Sequence, residues 1–189
     1  MIDEHEISKF FNVLGLALFN AQALEFSSVT LITINQILVE PNFSKKRKKF
    51  MNQKYKLTLG KLINEIKKIN QIEPSLMENL VEALSLRNWF IHNFFREFGA
   101  AGKNATFTAI ATNKVYEIAL KFEKVNDKIQ ALCFDLMIQT GKTEAGIKKD
   151  IDYAIDCYIE SKLNSELNSN SAEDEEMPIT QLSPPDGGA

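Results

Sequence analysis

Cysteine, proline, glycine and histidine are all scarce in this chain of 189 residues. The two cysteines, Cys133 and Cys157, stand far apart and form no CxxC pair. That excludes a disulfide framework and argues against a zinc site. It fits two small apolar core residues in a reducing, cytoplasmic setting. Five prolines and eight glycines, several of them near the C-terminus, leave long stretches without a helix breaker. No run of about 20 purely apolar residues marks a membrane span. The apolar stretch from Phe10 to Val39 is broken by Asn12, Asn20, Gln22, Glu25, Ser27 and Ser28, so it reads as a long core helix. Positive charge is missing from the first residues, where Asp3, Glu4 and Glu6 stand, and no signal peptide is expected. There is no phosphate-binding glycine loop, no nucleophile elbow, no HExxH pair and no internal repeat. Bases are absent from residues 165–189, which carry six acids. The net charge of −3 therefore leaves +3 for residues 1–164. This balance is compatible with nucleic-acid binding without indicating it.

What is present is helical periodicity. The apolar fraction of 44% suits one domain with a sizeable core. The spacing predicts an all-α bundle of about five helices over residues 1–164, followed by a disordered acidic tail over 165–189. The first helix runs from about Asp3 or Glu6 to Val39, with Pro41 ending it. Its Gly15, Ala17, Ala21 and Ala23 leave room for a close neighbour. Residues 42–56 read as a connector with a basic block of Lys45, Lys46, Arg47, Lys48, Lys49, Lys54 and Lys56. A short second helix is expected over 58–70. A third begins at Ser75, in a capping box with Glu78, and runs to about Phe98, where Gly99 and Gly102 stop it. The fourth starts at the N-cap Asn104 and stops at Gly141. The fifth starts at Thr143 and carries Ile147, Ile151, Ile155, Ile159 and Leu163.

The third helix holds the most informative residues. Arg87-Asn88-Trp89-Phe90-Ile91-His92 places a cation, an amide and one of only two histidines among aromatics. At 100° per residue, Ser85, Asn88, His92 and Arg96 form a polar stripe, whereas Arg87 aligns with the apolar Leu80, Leu84, Ile91, Phe94 and Phe98. Arg87 and His92 are about 140° apart on an ideal helix. Either the Arg side chain wraps towards the His stripe, or a second copy across a two-fold axis completes a shared cleft. The bland alternative is a buried hydrogen-bonded network of Arg87, Asn88 and His92 that fixes the core or a dimer register. Trp89, Phe90, Phe94, Phe95 and Phe98 suit base stacking, yet at helical spacing they are more often core.

Arg, four residues and His, with Asn directly after the Arg, resembles the signature of the HEPN superfamily (higher-eukaryote and prokaryote nucleotide-binding helical domains). The resemblance extends over roughly residues 5–163. It takes in Gly15-Leu-Ala-Leu-Phe-Asn-Ala-Gln-Ala-Leu-Glu25 and Thr58-Leu-Gly-Lys-Leu-Ile63, with the motif as its sharp part. It implies a homodimeric, metal-independent endoribonuclease without a cofactor, in the setting of bacterial stress or phage defence, where a protein partner or antitoxin is also expected. It implies that Arg87 holds the scissile phosphate, His92 serves as general acid and base, and Asn88 orients the site. That chemistry suits the residues. Histidine moves protons near neutral pH, and arginine grips phosphate with a bidentate fork. Lys45, Lys46, Arg47, Lys48, Lys49 and Arg96 are expected to bind the RNA backbone. In one branch of the family, a tyrosine two residues after the His is adenylylated by a partner enzyme. Phe94 stands there and has no hydroxyl to modify. The other reading of the same residues is a non-catalytic helical module binding a nucleotide, RNA or a protein.

Overall fold

The computed structural model describes residues 3–40, 43 and 46–149. They are helical with no strand among them. They belong to two compact units, residues 1–142 and residues from 143 onward. The first unit contains α1 (Glu4–Val39), α2 (Arg47–Lys54), α3 (Leu59–Ile66), α4 (Pro74–His92), α5 (Phe94–Phe98) and α6 (Ala105–Gln139). In the second, the described stretch turns helical over 144–149, where Thr143 Oγ1 accepts the Gly146 N–H at 3.2 Å. The expected boundary at 164/165, the acidic tail and Cys157 lie outside the described residues.

Two long helices carry the fold. Asp3 caps α1 by accepting the His5 N–H at 3.2 Å, and Glu4 and Glu6 oppose the positive end of the helix dipole. Over its 36 residues α1 spans about 54 Å. It ends at Glu40, whose extended backbone suits the residue before a proline. Asn104 caps α6 as its spacing predicts, its Oδ1 accepting the Phe107 N–H at 3.0 Å. Gly141, at φ +83°, follows the end of α6 in a conformation that glycine adopts without strain.

α1 and α6 lie side by side in the same direction. Phe10 and Ala17 share a cluster with Ala111, Val115 and Ala119, and farther along Leu24, Leu31 and Ile34 share one with Phe122, Ile129 and Leu136. Ala17, Ala21, Ala111 and Ala119 are buried, which lets the two backbones approach closely. Midway, the buried Asn20 donates from Nδ2 to the Ala119 carbonyl at 3.0 Å. Other buried polar chains bond back to their own helix. Ser28 donates to the Leu24 carbonyl, Thr33 to that of Val29 and Thr112 to that of Thr108. Gly15 departs from its expected role: it is exposed and a Cβ there would meet nothing within 4 Å.

Three other local readings are corrected. The basic block is not wholly a connector, because residues from Arg47 to Lys54 form α2. The helix after residue 58 is shorter than expected, closing at Ile66 into turns that still bury Ile69. Ser75 is not a cap: Glu73 is the N-cap of α4, and Pro74 occupies the first turn, where no backbone donor is needed.

Candidate functional site

The helix that carries the motif breaks immediately after it. α4 ends at His92, Asn93 adopts φ −117°, and α5 restarts at Phe94. This corrects the expectation of one continuous helix to Phe98. Two contacts hold the break. The Asn93 N–H donates to the Trp89 carbonyl at 2.7 Å, and the Trp89 indole N–H donates to Glu97 Oε1 at 2.8 Å. Beneath them Phe94 is fully buried, with ring centroids of Phe10, Trp89, Phe90, Phe95 and Phe98 all within 5.3–6.2 Å. Of the motif aromatics, Phe90 and Phe94 are core, Trp89 and Phe98 are half-buried, and Phe95 is exposed.

Ser85, Asn88, His92 and Arg96 are all exposed, as the wheel predicts for a polar stripe. The Asn88 and His92 side chains make no hydrogen bond to another described residue, so the buried network is not what these residues form. Arg87 neither wraps towards His92 nor enters the core. Its Nη2 lies 3.3 Å from Glu25 Oε1 of α1, with the two side chains 28% and 32% exposed. Glu25 is the residue that motif reading missed as a partner, although it ends the quoted α1 stretch.

Only the end of α2 reaches this level of α1. Phe26, next to Glu25, stacks on Tyr55 at the end of α2, with centroids 5.8 Å apart. Arg47, Lys48 and Lys49 are exposed along α2. Lys46 is exposed and pairs with Glu40 at 3.0 Å, while Lys54 is drawn inward to Glu65 at 2.5 Å. The Lys46 ammonium and the Gln36 amide hold the Glu40 carboxyl below its ordinary value. Arg96 is exposed on α5. Lys45 lies outside the described residues.

Two surface depressions are lined elsewhere, one by Lys67, Met77, Glu78, Val81 and Glu82 and the other by residues including Asn79, Leu86 and Lys121. Neither includes Arg87, Asn88 or His92. Among the described residues no three His, Cys, Asp or Glu side chains gather as a metal site would require. Among the described residues one helix, α1, is long and apolar enough to cross a membrane by length and composition, a test that core helices of soluble proteins and signal sequences also pass. Comparison of the chain with protein-family models, with curated proteins and with solved structures finds no match.

Proposed function

We propose that this protein is a metal-independent endoribonuclease of the HEPN type, acting as a cytoplasmic homodimer with the α4 helices close to the two-fold axis. The observation that carries the reading is the exposure of Asn88 and His92 at the end of α4, packed from below by the Phe94 cluster, with the half-buried Arg87 earlier on the same helix. Polar residues fixed on a packed helical scaffold are preorganised to meet a ligand. Arg87 exchanges the Glu25 carboxylate for the scissile phosphate. His92 takes the proton of the ribose 2′-hydroxyl, whose oxygen attacks the adjacent phosphorus and expels the 5′-oxygen. The leaving oxygen receives a proton from the second histidine of the dimer. Asn88 orients the phosphate. Arg47, Lys48, Lys49 and Arg96, with Lys46, bind the flanking backbone. One chain supplies one motif histidine, so two copies provide an acid and a base. That neither of the two depressions described above reaches Asn88 or His92 favours the second reading, a non-catalytic helical module that binds RNA, a nucleotide or a protein through this surface. The test is incubation of purified protein with total RNA, with and without EDTA, beside His92→Ala. Cutting that survives EDTA and is lost in His92→Ala supports the nuclease. Equal cutting by the variant, or none by wild type, leaves the binding module.

A further inference from the structure

The outward side of α1 carries an apolar face that the described residues leave largely bare, apart from the stack of Phe26 on Tyr55. On the helical wheel the buried Phe10, Ala17, Ala21, Leu24 and Leu31 centre on one side, and Phe11, Gly15, Leu18, Phe19, Gln22 and Phe26 lie opposite. Phe11, Leu18, Phe19 and Phe26 are 61%, 44%, 68% and 57% exposed. The same stripe continues into Val29 and Thr33, and there it is buried, in the part of α1 that packs with α3. One continuous stripe is thus covered from Val29 onward and bare before it. A chain of rings, Phe11–Phe10–Phe94–Phe95, joins the bare part to α5, whose Phe95 is 73% exposed.

We infer that a second copy of this chain covers this face, with the two α1 helices antiparallel about a two-fold axis near Leu18 and Phe19. The inference takes up the two-copy assembly proposed above and names its surface. Charge chooses this occupant. One end of the face carries Asp3, Glu4 and Glu6, offset only in part by Lys9. The other end adjoins Tyr55 and α2, with exposed Arg47, Lys48, Lys49 and Lys56. In an antiparallel pair each acidic end meets the partner's basic end, twice over, as an isologous contact requires. The stripe is also complementary to itself. About this axis Phe11 comes level with the partner's Phe26, Leu18 with the partner's Phe19, and the open notch at Gly15 with the partner's Gln22. Taking about 200 Å² for a whole aromatic residue, the four side chains offer roughly 450 Å² of surface, and Ile91 with Phe95 raises this to about 650 Å². A stable interface needs about 800 Å² per partner, and the charged ends supply the remainder. An anionic membrane is the poorer occupant, because the carboxylates of the N-terminal end would be held against it.

The arrangement also serves the site. Arg87 attaches at the level of Glu25, and the helix break packs at the level of Phe10. Antiparallel pairing therefore brings the Arg87 end of one copy opposite the His92 end of the other.

The experiment is light scattering and sedimentation of the full chain at micromolar concentration, for wild type, Phe19→Glu and Gly15→Glu. Both positions face solvent, and circular dichroism checks that the fold is kept. The expected result is a dimeric wild type whose dimer Kd rises at least about thirtyfold in each variant. A monomeric wild type overturns the inference, and so does a Phe19→Glu protein that remains as dimeric as wild type. Flotation of wild type with vesicles of neutral lipid, lost in Phe19→Glu, would assign the face to lipid and also overturn it. His92→Ala stays dimeric under this inference whether or not it cuts RNA, so the interface and the nuclease reading fail separately.

Discussion

Glu25→Gln separates a structural role for Arg87 from a ligand-binding one. The substitution keeps the shape of the side chain and removes the charge that Arg87 faces at 3.3 Å. At that distance the Coulomb energy is about 1.3 kcal/mol in a water-like medium and about 5 kcal/mol at an effective dielectric of 20. Both side chains are roughly one-third exposed, which places the pair near the solvent-screened limit. Exposed ion pairs contribute about 0.2–1 kcal/mol. The expected stability loss is therefore below about 1 kcal/mol, a fall in Tm of no more than about 4 °C for a chain of this size. RNA affinity should move the other way. Under the proposed function Glu25 competes with phosphate for the guanidinium, so its neutralisation should tighten binding of a short labelled RNA by up to about fivefold. The assay pairs thermal melting with fluorescence anisotropy at low salt, in a His92→Ala background so that the RNA stays intact. A Tm loss above about 8 °C would show that the pair clamps α1 to α4. Unchanged or weaker RNA binding would refute the assignment of Arg87 to phosphate.

Three further outcomes follow from packing and burial. Phe94→Ala empties the centre of the aromatic cluster under the helix break, so it should cost about 3–5 kcal/mol. Chemical denaturation that shows under about 1 kcal/mol would contradict that role for the ring. Asn104→Ala removes the α6 cap and should cost about 1 kcal/mol, read by the same method, whereas no change would mean that water replaces the Oδ1 contact without loss. Burial pushes the Cys133 thiol up to about 12. In a Cys157→Ser background the folded protein should thus stay unreactive to a disulfide reagent at about pH 8 and react once unfolded in guanidinium. Fast reaction of the folded form would show that α6 opens locally.

The two long helices were legible because their apolar residues repeat at helical spacing and because Asn104, at the start of α6, is a side chain that accepts a free backbone donor. The exposed stripe of Ser85, Asn88, His92 and Arg96 was legible for the same geometric reason. α2 was not. It buries no residue, and its run of lysines gives no apolar period to read. The break at Asn93 was hidden because Phe90, Phe94 and Phe98 keep their spacing of four across it. The partner of Arg87, Glu25, comes from another helix far away in the chain, and no local pattern identifies such a pair. The bare face of α1 was hidden by composition. A helix apolar on all sides reads as core on all sides, and only the packed structure separates the covered half from the open one.

The central claim is that His92 moves protons in a metal-free cleavage of RNA. Its most direct test is cleavage of a defined RNA by wild type and His92→Ala in EDTA, with the product ends identified. The account predicts 2′,3′-cyclic phosphate and 5′-hydroxyl ends from wild type, and no product from a His92→Ala protein with a native circular dichroism spectrum. Cleavage by His92→Ala at the wild-type rate, or products ending in 3′-hydroxyl and 5′-phosphate, would contradict it.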